Sequence, residues 1–456
     1  MSTKPLRVAV VGSGPAGFYA ASALLDAEIP VEVDMIERLP TPWGLVRLGV
    51  APDHPKLKSV SGAFERIAMK PGFRFLGNVE VGRDLSHADL ERLYDAVIYA
   101  VGSQTDRRLG IPGEELPGSW SATEFVAWYN GHPDFQDLSF DLSVDRAVVI
   151  GNGNVALDVA RMLALTPEEL APTDTTDPAI TAIGESTIHE ILVVGRRGPA
   201  QASWTTQELK EMGELAGADV VVDSAELELG SADEHDTNTR RNLEVLREFA
   251  ERQPTEKPVT VRFLFFRSPV AIYGEEKVEE IELVRNRLEE QDGRLVAVPT
   301  DDRETIECGA VFRSVGYHGV GLPDLPFDER RGTIRNDRGR VLDDGGEPLP
   351  QVYCAGWIKR GPTGIIGTNK KDATETVALL LEDVEQGRVA HGDEVSAEAV
   401  EALLAERGVR AVLYPGWTSI DELERAAGEK LGRPRVKLLT WDELLEAAER
   451  VAAETA

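Results

Sequence analysis

Arg7-Val8-Ala9-Val10-Val11-Gly12-Ser13-Gly14-Pro15-Ala16-Gly17 opens the chain with an apolar run that breaks at a glycine-rich turn. The run has the length and β-branched content of a buried strand, and residues 17–25 continue as an apolar helix. Glycine at Gly12, Gly14 and Gly17 permits the tight turn, lets backbone approach a pyrophosphate, and lets the helix lie close to the strand. The helix N-terminus adds amide donors and the positive end of its dipole. A second strand, Val31–Ile36, leads into Glu37. That is about 20 residues downstream, where an acid can hold a ribose hydroxyl. Strand, turn, helix and acid in one register predict a dinucleotide site.

The order returns once. Arg146–Ile150 is followed by Gly151-Asn152-Gly153-Asn154-Val155-Ala156 and a helix over residues 155–165. Ala156 stands for the third glycine and still allows close helix–strand packing. Here the next strand, Glu190–Val194, ends in Gly195-Arg196-Arg197 instead of an acid. A carboxylate would repel a 2′-phosphate, whereas guanidinium forks bind one bidentately. The second turn therefore predicts NADP(H), and the first, with Glu37, predicts FAD.

The expected fold class is α/β, with two Rossmann-like dinucleotide-binding domains, the second inserted in the first. Residues 1–107 and 317–456 would form the FAD domain and residues 108–316 the NADP domain. The glycine-rich segment 361–367 has no nucleotide turn of its own, so it is assigned to the first domain. Residues 94–101, 310–315 and 351–355 read as further buried strands, and 261–266 and 278–284 as strands of a meander. Residues 166–186, rich in Pro, Thr and Asp, read as a surface excursion. From about residue 395 the chain is acidic, with helical periodicity and one short strand candidate at 436–439.

Composition bounds the chemistry. A chain of 456 residues calls for two or three domains. No apolar run is long enough for a membrane span, and the charged start leads directly into the first strand, so a cytoplasmic protein is expected. Two cysteines, Cys308 and Cys354, are too few for an internal four-thiolate cluster and form no Cys-x-x-Cys pair. Cys354 sits in an apolar run and reads as a core residue. A formal net charge of −30 argues against a nucleic-acid partner.

Two further loops carry information. Residues 40–55 run Pro-Thr-Pro-Trp-Gly-Leu-Val-Arg-Leu-Gly-Val-Ala-Pro-Asp-His-Pro, a path fixed by glycine and proline without helical or strand period. Residues 356–369 run Gly-Trp-Ile-Lys-Arg-Gly-Pro-Thr-Gly-Ile-Ile-Gly-Thr-Asn before a helix expected from about Lys371. Amides at such a helix start can stabilise negative charge on a reduced flavin ring.

With the Asn152–Val155 turn and the Arg196-Arg197 pair, these loops resemble the adrenodoxin reductase family and its bacterial NADPH–ferredoxin reductases, over about residues 4–382. The resemblance implies FAD contacts at Pro15, Ala16, Glu37, Leu45, Val81, Trp357, Gly364, Ile365 and Ile366. It implies NADP contacts at Arg107, Asn152, Gly153, Asn154, Val155, Arg196, Arg197, Glu208 and Gly364. His54, Asp158 and Glu211 match positions near the flavin–nicotinamide centre, where they would modulate proton handling and electron transfer. The implied activity passes electrons between NADPH and a one-electron iron–sulfur protein such as ferredoxin. An acidic ferredoxin would dock on the basic island Arg240, Arg241 and Arg247, extended by Lys359 and Arg360. The competing arrangement pairs Arg240 and Arg241 with Glu244 and Glu248 along one helix face. Two other functions stay open on sequence: a flavin oxidoreductase with an organic substrate, and an electron-input subunit of a larger complex.

Overall fold

The computed structural model describes residues 4–227, 236–389 and 396–454. The chain divides into two compact units. One holds residues 1–50, 54–105 and 317–456; the other holds residues 51–53 and 106–316.

In the first unit the apolar run at the start forms the strand Leu6–Val11, buried at every position. It lies between Val31–Ile36 and Ala96–Tyr99, parallel to both, in register Val8↔Val33 and Val10↔Ile98. Phe73–Leu76 and Pro348–Cys354 extend the parallel sheet on either side, and Arg340–Leu342 and Asn336–Asp337 add antiparallel strands at one edge. Strands covered on both faces need apolar residues throughout, as in residues 8–11 and Ala96–Tyr99, whereas Glu32, Asp34 and Arg74 interrupt the strands on the Phe73–Leu76 side. Helices Pro15–Leu25 and Ile366–Glu385 cover one face, where Phe18 stacks on Phe64 at 4.8 Å. Chain order reverses at Leu6–Val11, so its carboxyl end is the switch point at which such sheets bind ligands.

The second unit repeats this plan. Its six strands, all parallel, run in the order Ser119–Ser121, Ala310–Arg313, Arg146–Ile150, Glu190–Val194, Val259–Leu264 and Ala218–Val222. The switch point falls at the carboxyl end of Arg146–Ile150. A separate antiparallel sheet, Arg267–Tyr273, Glu280–Gln291 and Arg294–Glu307, completes the unit.

Several local expectations are corrected. The strand Val259–Leu264 belongs to the parallel sheet and not to a meander; it alternates because one face is incompletely covered, leaving the Arg262 side chain 43% exposed. Residues 166–186 are not merely a surface excursion. A capping box between Thr166 and Glu169 starts the helix Pro167–Leu170, Asp177–Gly184 follows, and Thr173, Asp174, Thr175 and Thr176 are buried. The helix that follows the 356–369 loop begins at Ile366 rather than near Lys371. Residues 45–48 and 55–58 form single helical turns within the 40–55 loop. Residues 436–439 are no strand: Val436 N and Leu438 N donate to the carbonyl and carboxylate of Glu424, on the helix Tyr414–Glu429.

Candidate functional site

Three glycines bring three loops together at the start of the Pro15–Leu25 helix. Gly12 has φ +103°, and a Cβ there would lie 2.6 Å from the Ala100 carbonyl oxygen; on Gly17 it would lie 2.0 Å from the Gly12 oxygen. The turn can therefore close onto strand and helix only with glycine. Gly44, at φ +50°, rests against it, since its Cβ would sit 3.0 Å from Gly14 Cα, and Trp43 N donates to the Ser13 carbonyl at 3.1 Å. Gly356, at φ +78°, approaches from the other loop, where a Cβ would meet Ala16 Cβ at 2.6 Å. Above Gly14 itself nothing lies within 4 Å. The helix has no side-chain cap and no acid in its first turn, so its amide donors and positive end face an open space suited to an anion.

Glu37 closes the cradle. Its Oε2 accepts from Ser13 N at 3.0 Å and Ser13 Oγ at 2.7 Å, and Oε1 accepts from Leu39 N at 3.0 Å. These bonds fix the carboxylate and leave lone pairs for sugar hydroxyls. Leu45 starts the helical turn after Gly44 and is 36% exposed. Val81 is partly buried, beside the buried Val79. Trp357 lies beside Tyr317 with ring centroids 5.3 Å apart and donates from Nε1 to the Thr363 carbonyl. Gly364 takes φ +80°, Ile365 is 64% exposed, and Ile366 begins the long helix. These residues fit an extended dinucleotide with a flat ring system.

The second turn offers a comparable seat. A Cβ on Gly151 would lie 2.1 Å from the Ser314 oxygen, and above Gly153 the space is open. The helix Asn154–Ala164 also lacks a side-chain cap and a first-turn acid. Asn154 Oδ1 accepts from Thr205 N at 2.9 Å, which fixes the turn, and Val155 sits half-buried beside it. Both ends of the buried Asn152 amide, Oδ1 and Nδ2, lack a partner among the described residues. An orphaned buried amide is costly unless a ligand meets it.

Arg196 and Arg197 follow the next strand, Arg196 exposed and Arg197 half-buried, with no carboxylate on either among the described residues. Burial, and then the neighbouring Arg196 charge, lower the Arg197 pKa from its ordinary value. Two crowded cations without a counter-ion suit a phosphate dianion. Arg107 is exposed, with its backbone N–H held by Gly316.

The second unit also holds a charge cluster that sequence reading found only in part. Arg161, 2% exposed, meets Asp53 at 2.5 Å, Asp158 at 2.8 Å and Glu208 at 3.4 Å. Burial, with the Asp158 charge against it, pushes the Glu208 carboxyl up to about 8, although Arg161 opposes the shift. Asp53 and Arg161 carried no motif. The available signal was an arginine inside the apolar helix 155–165, three residues after Asp158. Glu211 lies one turn nearer the C-terminus of the Glu208 helix and accepts from Gln207 Nε2 at 2.8 Å. His54, in the first unit, is 9% exposed and precedes the Pro55–Lys58 turn.

The basic residues separate into two sets. Arg240, Arg241 and Arg247 are exposed on the helix Thr237–Glu251, whose opposite face buries Leu243, Leu246 and Phe249. Among the described residues neither Arg240 nor Arg241 pairs with Glu244 or Glu248, and Arg240 donates to Thr237 Oγ1. Lys359 and Arg360 behave differently, because both are held by Asp372, at 3.1 and 3.2 Å, with side chains 9% and 19% exposed. Their charge is spent inside the fold, which removes them from the expected docking surface.

Residues 6–170 match the family model described as pyridine nucleotide-disulphide oxidoreductase. The chain is 51% identical to the NADPH-ferredoxin reductase FprA of Mycobacterium tuberculosis, over 97% of this chain and 99% of that one. It is 42% identical to the mitochondrial NADPH:adrenodoxin oxidoreductase of Arabidopsis thaliana, over 98% and 96%. The structure of Mycobacterium tuberculosis FprA in complex with NADPH matches with a TM-score of 0.93 at 49% identity, over 98% of this chain and all of that one. A fold held this closely, at half the residues identical across the full length, leaves one assignment: the chain belongs to the family of the NADPH-ferredoxin and adrenodoxin reductases.

Proposed function

We propose that the protein is an NADP-dependent ferredoxin reductase, with FAD in the first unit and NADP(H) in the second. The observation that carries this reading is the pair of uncapped helix N-termini over glycine turns, one followed by a fixed carboxylate and the other by two unpaired arginines. Bound FAD supplies the chemistry that joins two-electron exchange with a nicotinamide to one-electron exchange with an iron–sulfur protein.

The chain's own groups do the rest. Pro15 and the backbone N–H groups of Ala16 and Gly17 hold the FAD pyrophosphate, Glu37 holds its ribose, and Leu45, Val81, Trp357 and residues 364–366 hold the remainder. Asn152 to Val155 hold the NADP pyrophosphate, Arg196 and Arg197 its 2′-phosphate, and Arg107, Glu208 and Gly364 complete the set. His54, Asp158 and Glu211 tune charge and proton position near the reacting rings. Arg240, Arg241 and Arg247, on the exposed side of the Thr237–Glu251 helix, receive an acidic ferredoxin. Cytoplasmic placement agrees with two buried free cysteines, and no helix among the described residues is long and apolar enough to cross a membrane.

The deciding experiment mixes the purified chain with NADPH and a ferredoxin and follows ferredoxin reduction. Turnover without any added protein supports the proposal. A preparation that takes up FAD and oxidises NADPH with small acceptors, yet leaves every tested ferredoxin oxidised, sinks it.

A further inference from the structure

The loop at residues 43–48 is bent in a way its own sequence does not sustain. Trp43 adopts φ +85°, the left-handed region that a bulky side chain avoids, and Gly44 follows at φ +50°. This conformation sets the loop backbone against Gly14. Such a conformation persists only when its surroundings over-determine it.

Those surroundings come from the C-terminal segment. Arg47, on the turn after Gly44, is 4% exposed and forms a two-point pair with Glu424, with Nη1 at 2.8 Å from Oε2 and Nη2 at 2.5 Å from Oε1. Glu424 is fully buried on the helix Tyr414–Glu429 and also accepts from Leu438 N at 3.0 Å and from Arg435 Nη1 at 3.1 Å. Arg435 reaches Asp421 as well, at 2.6 Å. Burial pushes the Glu424 carboxyl up; the Arg47 charge and hydrogen bond, then Arg435 and the Leu438 amide, reverse that and keep it ionised. The aromatic rings close the joint. Trp43 and Trp417 meet edge to face at 4.8 Å, with the Arg47 guanidinium 5.2 Å from the Trp417 ring and Arg435 5.9 Å from the Trp43 ring. Lys437 Nζ donates to the Arg47 carbonyl at 3.3 Å.

We infer that the C-terminal segment is a clamp that holds residues 43–48 in the FAD-receiving conformation, with Glu424 and Arg435 as positioning residues for the flavin. The inference rests on FAD occupying the first unit. A bidentate buried pair is a costly way to gain stability, since well-packed apolar residues serve as well. It does fix one geometry, which is what a strained loop against a ligand seat requires.

The test uses full-length apoprotein, prepared by removing the flavin, and measures the FAD dissociation constant by quenching of flavin fluorescence. It also measures the melting temperature with and without FAD. Two variants are compared with the parent: Glu424→Gln, and the double replacement Arg47→Met with Glu424→Met, which substitutes apolar volume for both charges and protects folding. In both variants the FAD dissociation constant rises at least about tenfold, as when the competent loop conformation falls to a tenth of the population. The melting-temperature gain on adding FAD shrinks accordingly, while NADPH affinity stays at the parent value. A double variant that binds FAD within twofold of the parent overturns the clamp, and so does a lower apoprotein melting temperature with unchanged FAD affinity. Parent apoprotein that takes up no FAD would instead overturn the flavin reading itself.

Discussion

Single residues carry the cofactor choice. Arg196 and Arg197 lack carboxylate partners among the described residues, and each charge-assisted hydrogen bond they would make to a 2′-phosphate is worth about 1.5–3 kcal/mol. Replacing both with alanine should raise the KM for NADPH about a hundredfold and leave NADH kinetics nearly unchanged. Equal loss with both nucleotides would make the pair structural. Glu208 gives a second prediction with a definite sign. Its carboxyl titrates near 4.5 when unfolded and is pushed up to about 8 in the fold, by burial first and by Asp158 next. A raised folded pKa means that the native state binds the proton more tightly. Its stabilisation is complete below the unfolded value and is lost as pH rises through about 8. The melting temperature of the parent should therefore fall more between pH 6 and pH 9 than that of Glu208→Gln, by on the order of 2 °C. Identical pH profiles would mean that Glu208 is ionised throughout. Arg161, which holds Glu208, has no readable motif, because its three carboxylate partners are identified only once the helix is placed.

Elements divide by how local their causes are. The two strand–turn–helix units were legible because everything that defines them is close in sequence, between positions 6 and 37 in one and 146 and 197 in the other: an apolar run, glycines at fixed spacing, and the residue after the next strand. The C-terminal segment was not. Glu424 finds Arg47 across 377 positions, and nothing in an acidic, helix-periodic tail announces that partner. Residues 436–439 looked like a short strand, yet the Val436 and Leu438 amides donate to Glu424 and the Leu439 amide to Glu443. Lys359 and Arg360 looked free for the same reason, since Asp372, on the next helix, reaches them only after the intervening loop has folded. The helix Thr237–Glu251 is the reverse case, where the feature is as local as it looked. Its apolar face is buried while Arg240, Arg241 and Arg247 stay in solvent, unpaired with the glutamates beside them. Charge reversal at Arg240 and Arg241 should lower kcat/KM for ferredoxin about tenfold, mainly through the association rate. Turnover of NADPH with a small acceptor such as ferricyanide should be unchanged. Joint loss of both activities would point to damage at the fold instead.

At the scale of the whole molecule, charge and partner pull in opposite directions. A net charge of −30 would repel an acidic ferredoxin, while the proposed docking arginines on one helix would attract it. The two effects differ in range, and salt separates them. The Debye length is about 30 Å at 0.01 M, about 10 Å at 0.1 M and about 3 Å at 1 M. At the lowest salt the partner feels the entire acidic surface and association is slow. At intermediate salt the distant charges are screened while the arginine cluster still acts at contact, so association is fastest. At the highest salt the cluster is screened too. The kcat/KM for an acidic ferredoxin should therefore pass through a maximum near 0.1 M salt, whereas reduction of a neutral quinone should stay flat. In the Arg240 and Arg241 charge-reversal variant the falling limb should vanish, leaving a rate that only rises with salt. A parent rate that falls steadily from the lowest salt would mean the local cluster governs at every distance. A parent rate that only rises would mean ferredoxin meets no basic face, and the docking helix would have to be sought elsewhere.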